Sequence, residues 1–407
     1  MSRTEQWDVV IVGGGIVGAA TLYKLQARFP ALRILLLEKE QALADHQTGH
    51  NSGVIHSGIY YRPGSSKARN CVKGRRELVA FAKDHGVKHD VCGKLIVATT
   101  AEELPRLEKI HTTGIANGIE DMQQVSSDEI REIEPFCEGI AGLRVGCTGI
   151  IDFRGATEKM AELAVGINPA SRVSLGEEFL GIEQHEGGST VRSSKATYGT
   201  RFAIFCGGLQ SDRLARKDGA DIKERIVGFR GDYYDLSEQG KHKVKHLIYP
   251  VPDPRFPFLG VHFTRMTDGS IECGPNAVFT FKREGYGKTD VDLKDTMEAL
   301  SYGGTWKLFM KNMSYGIDEY RRAFSKRLFL KTLQRLIPSL TMDDIVPGRS
   351  GVRAMLLGTD GEMVDDFRIE RRGGHIHVLN APSPAATAAL AIGEQIVDMA
   401  VDQLGIA

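Results

Sequence analysis

Residues 45–65 read DHQTGHNSGVIHSGIYYRPGS: three histidines, four glycines and two tyrosines, with no acid after Asp45. Three kinds of chemistry could use such a segment: a metal site, a nucleophile loop, or the wall of a cofactor pocket. A metal would need His46, His50 and His56 together. His46 and His50 are four apart, but Gly49 and the following Asn51-Ser52-Gly53 argue against a helix. No carboxylate or thiolate joins them, so no metal is expected. A serine nucleophile elbow needs G-x-S-x-G, which Asn51-Ser52-Gly53 does not provide. What remains is a loop of neutral donors and small residues, suited to walling a cofactor.

Such a loop must be held by regular elements, and these stand just upstream. Residues 8–12 (DVVIV) form a short β-branched run suited to a strand buried on both faces. Gly13, Gly15 and Gly18 follow as G-x-G-x-x-G around Ile16 and Val17, and helical spacing runs from Ile16 to Phe29, ahead of Pro30. Residues 33–37 (RILLL) read as a second strand ending at Glu38, 20 positions beyond Gly18. Gly13 suits the tight turn, Gly15 the approach of a pyrophosphate, and Gly18 close packing of helix on strand. The helix N-terminus offers N–H groups and a positive dipole end to phosphates, and Glu38 is spaced to accept ribose hydroxyls. Framed in this way the motif predicts dinucleotide binding. Its spacing does not separate NAD from FAD, but the 48–53 loop suits an isoalloxazine ring, flat, polar on one edge and apolar on its faces.

These residues carry a family resemblance. Residues 48–61 (TGHNSGVIHSGIYY), with the glycine motif and Glu38-Lys39, resemble the D-amino-acid-oxidase-like FAD-dependent oxidoreductases, and within them the L-2-hydroxyglutarate dehydrogenase/oxidase branch. Further similar strings are 246–254 (HLIYPVPDP), 258–265 (FLGVHFTR), 274–278 (GPNAV), 281–286 (FKREGY), 351–354 (GVRA) and 380–387 (NAPSPAAT). The resemblance spans nearly the whole chain. It implies an α/β fold: a discontinuous Rossmann-like FAD-binding domain (1–84, 141–225, 341–407) and a substrate domain on an antiparallel sheet (85–140, 226–340). It implies FAD contacts from the glycine motif, Glu38, Lys39, Thr48, Gly49, His50, Asn51, Ser52 and Gly53. His50 could also carry a covalent flavin bond. The run 202–208 (FAIFCGG) adds Gly207, where a buried strand ends in a glycine pair. At the final helix, Ser383 is cap-like, Pro384 suits the first turn, and Ala385, Ala386 and Ala388 keep that end slim. By family analogy this N-terminus, with Pro382 and Thr387, faces the flavin and stabilises its reduced anion.

The implied activity is oxidation of L-2-hydroxyglutarate to 2-oxoglutarate, with hydride passing from C2 to flavin N5. That reaction needs a cation for the carboxylate and a base for the hydroxyl proton. Arg353 is the expected anchor, because guanidinium binds carboxylate bidentately. In a strand over 259–266, Gly260, His262 and Thr264 share one face with Glu272 and Gly274 across an Asp268-Gly269 turn. His262 and His56 compete as the base, since neutral imidazole titrates near 6.5. Tyr60 and Tyr61 offer a hydroxyl and an aromatic wall, with alternation letting only one face the pocket. Arg230 and Tyr233 are weaker candidates for the distal carboxylate, Tyr249 for a lid, and 281–286 for a solvated hairpin end.

Composition narrows the alternatives. Lys+Arg and Asp+Glu are both 52, which gives no global case for nucleic acid. No apolar run approaches the roughly 18 residues of a membrane span, and an end soon after the last helix leaves no membrane tail expected. Six scattered cysteines without CxxC read as reduced thiols of a cytoplasmic protein. Residues 321–337 (RRAFSKRLFLKTLQRLI) hold six cations and no acid among large apolar side chains. They suit either a domain-packing helix or one lying on an anionic inner-membrane surface. The expected partners are a small dicarboxylate and an electron acceptor, quinone or oxygen. The alternatives are an oxygen-using oxidase, an amino-acid oxidase of the same fold, or a non-enzymatic dinucleotide binder.

Overall fold

The structure is a computed structural model that describes residues 5–253 and 260–401, with the backbone of 402–404. Pro254, Phe258 and Leu259, named above in family strings or in the expected 259–266 strand, lie outside the described residues.

Two large sheets organise the chain. In the first, of eight strands, Glu5–Val12 lies between Thr197–Phe205 and Ile34–Leu37, parallel to both. Its β-branched run works as expected. Val9 and Ile11 pack with Leu22 and Leu25 of the Ile16–Arg28 helix. Val10 and Val12 pack on the other side with Phe179 and Phe205. Both faces are therefore covered, as an apolar parallel strand requires. The helices Phe153–Ile167 and Ala389–Leu404 pack beside Ile16–Arg28. The last helix begins at Ala389, later than the 382–385 cap read from sequence, because 383–388 forms successive turns in which the Ala388 N–H donates to the Pro384 carbonyl at 3.0 Å.

The second sheet has nine strands, most of them antiparallel. Its spine is Arg225–Leu236 paired antiparallel to Ile345–Leu357 from Arg225↔Leu357 to Leu236↔Ile345. Beyond the spine run Ile271–Gly274, His262–Arg265, Leu247–Pro250 and Lys94–Ala98 in that order. The segments Ala141–Val145 and Ile345–Leu357, which lie in the stretches the resemblance gives to the FAD-binding domain, pair into this one. A small third sheet joins Val54–Ile55, Gly149–Ile151 and His89–Asp90, and so ties the histidine-rich segment to the body.

The basic stretch 321–337 is not one helix. Met313–Phe324 ends before Ser325, whose side chain caps Lys326–Leu333 by accepting from the Leu328 N–H. Phe329, Leu330, Leu333, Leu336 and Ile337 are buried in the core under the second sheet. Its apolar side is domain packing. All six cysteines are unpaired thiols.

Candidate active site

A cavity of about 1100 Å³ runs from the glycine motif to the second sheet, at the upper end for small-molecule sites. Gly13, Gly15, Ile16, Val17, Glu38, Lys39, Thr48, His50, Asn51, Ser52 and Gly207 line it, as do Pro382, Ser383, Pro384, Ala385, Ala386 and Thr387. Gly18, Gly49 and Gly53 stand behind the wall.

Local geometry explains the placements. Gly13 has φ +112°, and a Cβ there would lie 2.4 Å from the Cys206 carbonyl oxygen. A Cβ on Gly18 would lie 2.0 Å from the Gly13 carbonyl oxygen, so this residue serves packing of helix on turn. The Ile16–Arg28 helix has Gly15 at its N-cap, no side-chain cap and no acid in its first turn. That is the surrounding an anionic phosphate needs. Glu38 accepts the Gly14 N–H at 2.7 Å and the Glu40 N–H at 2.8 Å, one per carboxylate oxygen, and the remaining lone pairs border the cavity. This donor set fits a dinucleotide.

The histidine-rich segment is held from outside itself. His50 Nδ1–H donates to the Ser350 carbonyl at 2.8 Å, and its ring stacks on Tyr286 at 3.9 Å between centroids. Arg349 donates to the carbonyls of Gly49 (3.0 Å) and Asn51 (2.5 Å) and pairs with buried Glu272. The 281–286 stretch is therefore not a solvated hairpin end: Tyr286 packs on the loop and buried Arg283 pairs with Asp212. Glu40, His46 and Glu284 converge closely enough to ligate a metal. Lys39 Nζ already donates to all three, which offsets one of their two negative charges.

At the other end of the cavity stand His56, Tyr60, Tyr61, Tyr233, Tyr249, His262 and Arg353. Tyr60 and Tyr61 both line it, contrary to the alternation argument, because they sit in a turn and not in a strand. The Tyr60 hydroxyl is buried and has no hydrogen-bond partner among the described residues. Tyr249 is no lid. It lies in the strand Leu247–Pro250, 1% exposed, and stacks on His262 at 4.0 Å. Thr264 is buried two residues beyond His262, opposite Leu247, and does not reach the cavity. Arg230 is also away from it, its guanidinium held by Asp232 at 2.8 Å and the Gly287 carbonyl at 2.5 Å.

His262 Nδ1–H donates to the Gly260 carbonyl at 2.9 Å, which leaves Nε2 as the lone-pair nitrogen. Burial, then the charges of Arg353 and Lys94, lowers its pKa to about 4. His56 borders the cavity, half-buried, with Nε2 3.4 Å from Ser383 Oγ. Burial, then Lys94 and His262, lowers its pKa to about 3. Both rings are thus neutral proton acceptors at physiological pH.

Lys94 went unnoticed in the sequence. It is 2% exposed, with no carboxylate in ion-pair reach among the described residues. Its Nζ lies 4.6 Å from the Tyr60 ring and 4.8 Å from the Tyr249 ring. Burial lowers its pKa to about 8. Lys94 itself is not on the cavity wall; as a buried cation without a counter-ion, behind two cavity tyrosines, it makes that end of the cavity attractive to a carboxylate.

Comparison with known proteins agrees with this picture. A family profile described as "FAD dependent oxidoreductase" matches residues 8–399. A protein of Indibacter alkaliphilus named L-2-hydroxyglutarate dehydrogenase is 44% identical over 97% of this chain and 99% of its own length. The Escherichia coli K12 protein of that name is 42% identical over 96% and 92%. The human mitochondrial one is 42% identical over 98% and 89%. Among solved structures, FAD-bound L-α-glycerophosphate oxidase of Mycoplasma pneumoniae is similar at TM-score 0.80 and 26% identity, covering 99% of this chain and 96% of that one. Glycine oxidase of Geobacillus kaustophilus, 16% identical with TM-score 0.71 over 97% and 94% of the chains, shares the fold.

Proposed function

The chain belongs to the FAD dependent oxidoreductase family, and from that premise we propose that it oxidises L-2-hydroxyglutarate to 2-oxoglutarate. The observation that carries the reading is the pair of cations, Arg353 and Lys94, both within electrostatic reach of His262. A dicarboxylic hydroxy acid has two carboxylates to place and one hydroxyl proton to lose. When bound, FAD supplies the two-electron oxidant that takes hydride from C2.

The residues divide the remaining work. Arg353 binds the carboxylate next to the reacting carbon, through a planar fork that fixes its orientation. Lys94, behind Tyr60 and Tyr249, draws the distal carboxylate to that end of the cavity through its charge. The unpartnered Tyr60 hydroxyl donates to the same group. His262 Nε2 accepts the hydroxyl proton, its tautomer held by the Gly260 carbonyl. Two bound carboxylates raise the affinity of both histidines for a proton, because imidazolium beside an anion is favoured. His56 is the second imidazole bordering the cavity.

An amino acid fits less well. Its ammonium would stand near Arg353 and Lys94, a like-charge contact in a buried site. The electrons pass to an external acceptor, which we propose is a membrane-held quinone, with oxygen as the competitor.

Anaerobic reduction of the flavin tests the substrate. Loss of the oxidised flavin spectrum is expected with L-2-hydroxyglutarate, and only slowly with its D-enantiomer, L-lactate or amino acids. Fast bleaching by an amino acid and none by L-2-hydroxyglutarate would refute the assignment. Reoxidation by a soluble quinone against oxygen then ranks the acceptors.

A further inference from the structure

Tyr60 and Tyr61, consecutive at the substrate end of the cavity, each stand beside a lysine. Lys94 Nζ lies 4.6 Å from the Tyr60 ring, and Lys67 Nζ lies 5.6 Å from the Tyr61 ring. Their surroundings differ. Lys94 is behind the wall with no acid near it, whereas Lys67 lines the cavity and pairs with Asp365 at 2.8 Å. The Lys67 side chain is 9% exposed and that of Asp365 is 93% exposed, although both residues line the cavity. The pair therefore straddles the boundary between the cavity and bulk water. Ser383 is exposed on the same rim, with the Tyr61 phenol beside it and His56 Nε2 3.4 Å from its Oγ. This rim leads from solvent to one of the two imidazoles.

The Asp365 carboxylate has no second task. Asp366, the next residue, accepts the N–H groups of Ser66 and Lys67 at 3.0 and 2.9 Å, and Ser65 accepts that of Ala68 at 3.2 Å. The N-terminus of the helix Ser66–Asp84 is thus satisfied without Asp365. The side chain of Asp365 has no other partner than Lys67 among the described residues. An ion pair whose acid stands in water is weak, so a second carboxylate can take the place of the first at little cost. The charge of Lys67 stays compensated throughout such an exchange.

We propose that Lys67 is the collecting cation at the mouth of the cavity: an incoming dicarboxylate displaces Asp365 from Lys67, passes Tyr61 and moves on toward Arg353. Asp365 then closes the pair behind it, and the dianionic product leaves by the same exchange in reverse. Lys67 is thereby a specificity residue that acts on entry, since a neutral molecule has nothing to offer in place of the aspartate. The role rests on the dicarboxylate reading given above and adds a route to it. Lys94 and Arg353, deeper in the molecule, hold what Lys67 admits.

Anaerobic stopped-flow reduction of the FAD-loaded enzyme by L-2-hydroxyglutarate tests it. The second-order rate constant at low substrate reads entry, and the limiting rate at saturation reads chemistry. Lys67→Met should lower the second-order constant about tenfold and leave the limiting rate within about twofold. Asp365→Asn, which frees the cation, should raise the second-order constant about threefold. Lys67→Arg should keep most of the wild-type value, because the charge is kept. Added salt should slow entry in the wild type and less so in Lys67→Met. A purely structural pair would make Lys67→Met and Asp365→Asn act in the same direction, since each breaks the same contact. That result, or an unchanged second-order constant in Lys67→Met, or a loss confined to the limiting rate, would overturn the proposal. Should Lys67→Met misfold, Asp365→Asn decides alone, and a constant that does not rise overturns it. Failure of L-2-hydroxyglutarate to bleach the wild-type flavin is a separate result, which refutes the substrate and the collecting role with it.

Discussion

Lys94 holds a positive charge where the surrounding protein offers no acid to meet it, and that sets the alkaline side of the chemistry. With its pKa at about 8, it loses the charge as pH rises through that value. kcat/KM for L-2-hydroxyglutarate should therefore fall above pH 8, chiefly through KM. Lys94→Arg should move that limb out of range, because guanidinium stays charged; an unchanged profile would remove Lys94 from substrate binding. His262→Ala should lower kcat about a hundredfold or more with little change in affinity, whereas His56→Ala should lower it less. The inverse ranking in a steady-state comparison would make His56 the base. Acid exposes the cost of neutral burial. The unfolded histidines titrate near 6.5, the folded ones at about 3 and about 4. Between these limits the unfolded chain binds more protons, so stability falls as pH drops below 6.5. Thermal scans from pH 7 to pH 5 should show a declining Tm, and less decline in His262→Ala. The histidines were legible from their place in short motifs. Lys94 was not, because in CGKLIVA it reads as the polar start of an apolar strand, and only the fold shows two tyrosines closing over it.

The elements that hold the flavin loop come from distant parts of the chain, which is why sequence showed the loop and missed its supports. Gly13, Gly18 and Glu38 obey local spacing and could be read directly. Arg349 and Tyr286 lie over 200 residues from the loop they clamp, and no local pattern announces a clamp of that kind. Alternation misled at Tyr60 and Tyr61 for a related reason: Gly58 has φ +96° and the chain turns there, so strand logic does not apply. Tyr286→Ala removes the stack on His50 and the hydroxyl near His46 Nδ1 at 3.0 Å. Such aromatic contacts are worth about 1 kcal/mol, so FAD should bind about fivefold to tenfold more weakly, measured by fluorescence on release. An unchanged FAD affinity would show that the loop keeps its form without this support.

At the scale of the molecule the fold class was readable from motif order and resemblance, while strand membership was not. The resemblance gives 141–225 and 341–407 to the FAD-binding domain, and backbone pairing joins the strands Ala141–Val145 and Ile345–Leu357 within them to the second sheet. The cavity lies where the two sheets meet, and segments from residue 12 to residue 387 line it, so a bound FAD would tie distant parts of the chain together. Its removal should lower Tm by about 3 °C, since a ligand at a hundred times its Kd contributes about 2.7 kcal/mol. Titration with added FAD should restore the loss in a concentration-dependent way. The spine that carries Arg353 makes the chain weave back and forth between the lobes. A catalytic half could therefore not be inherited as one cassette by gene fusion. Recombination between relatives at a crossover between residues 262 and 353 would separate the anchor from its base, so exchange inside that stretch mixes parts of one site.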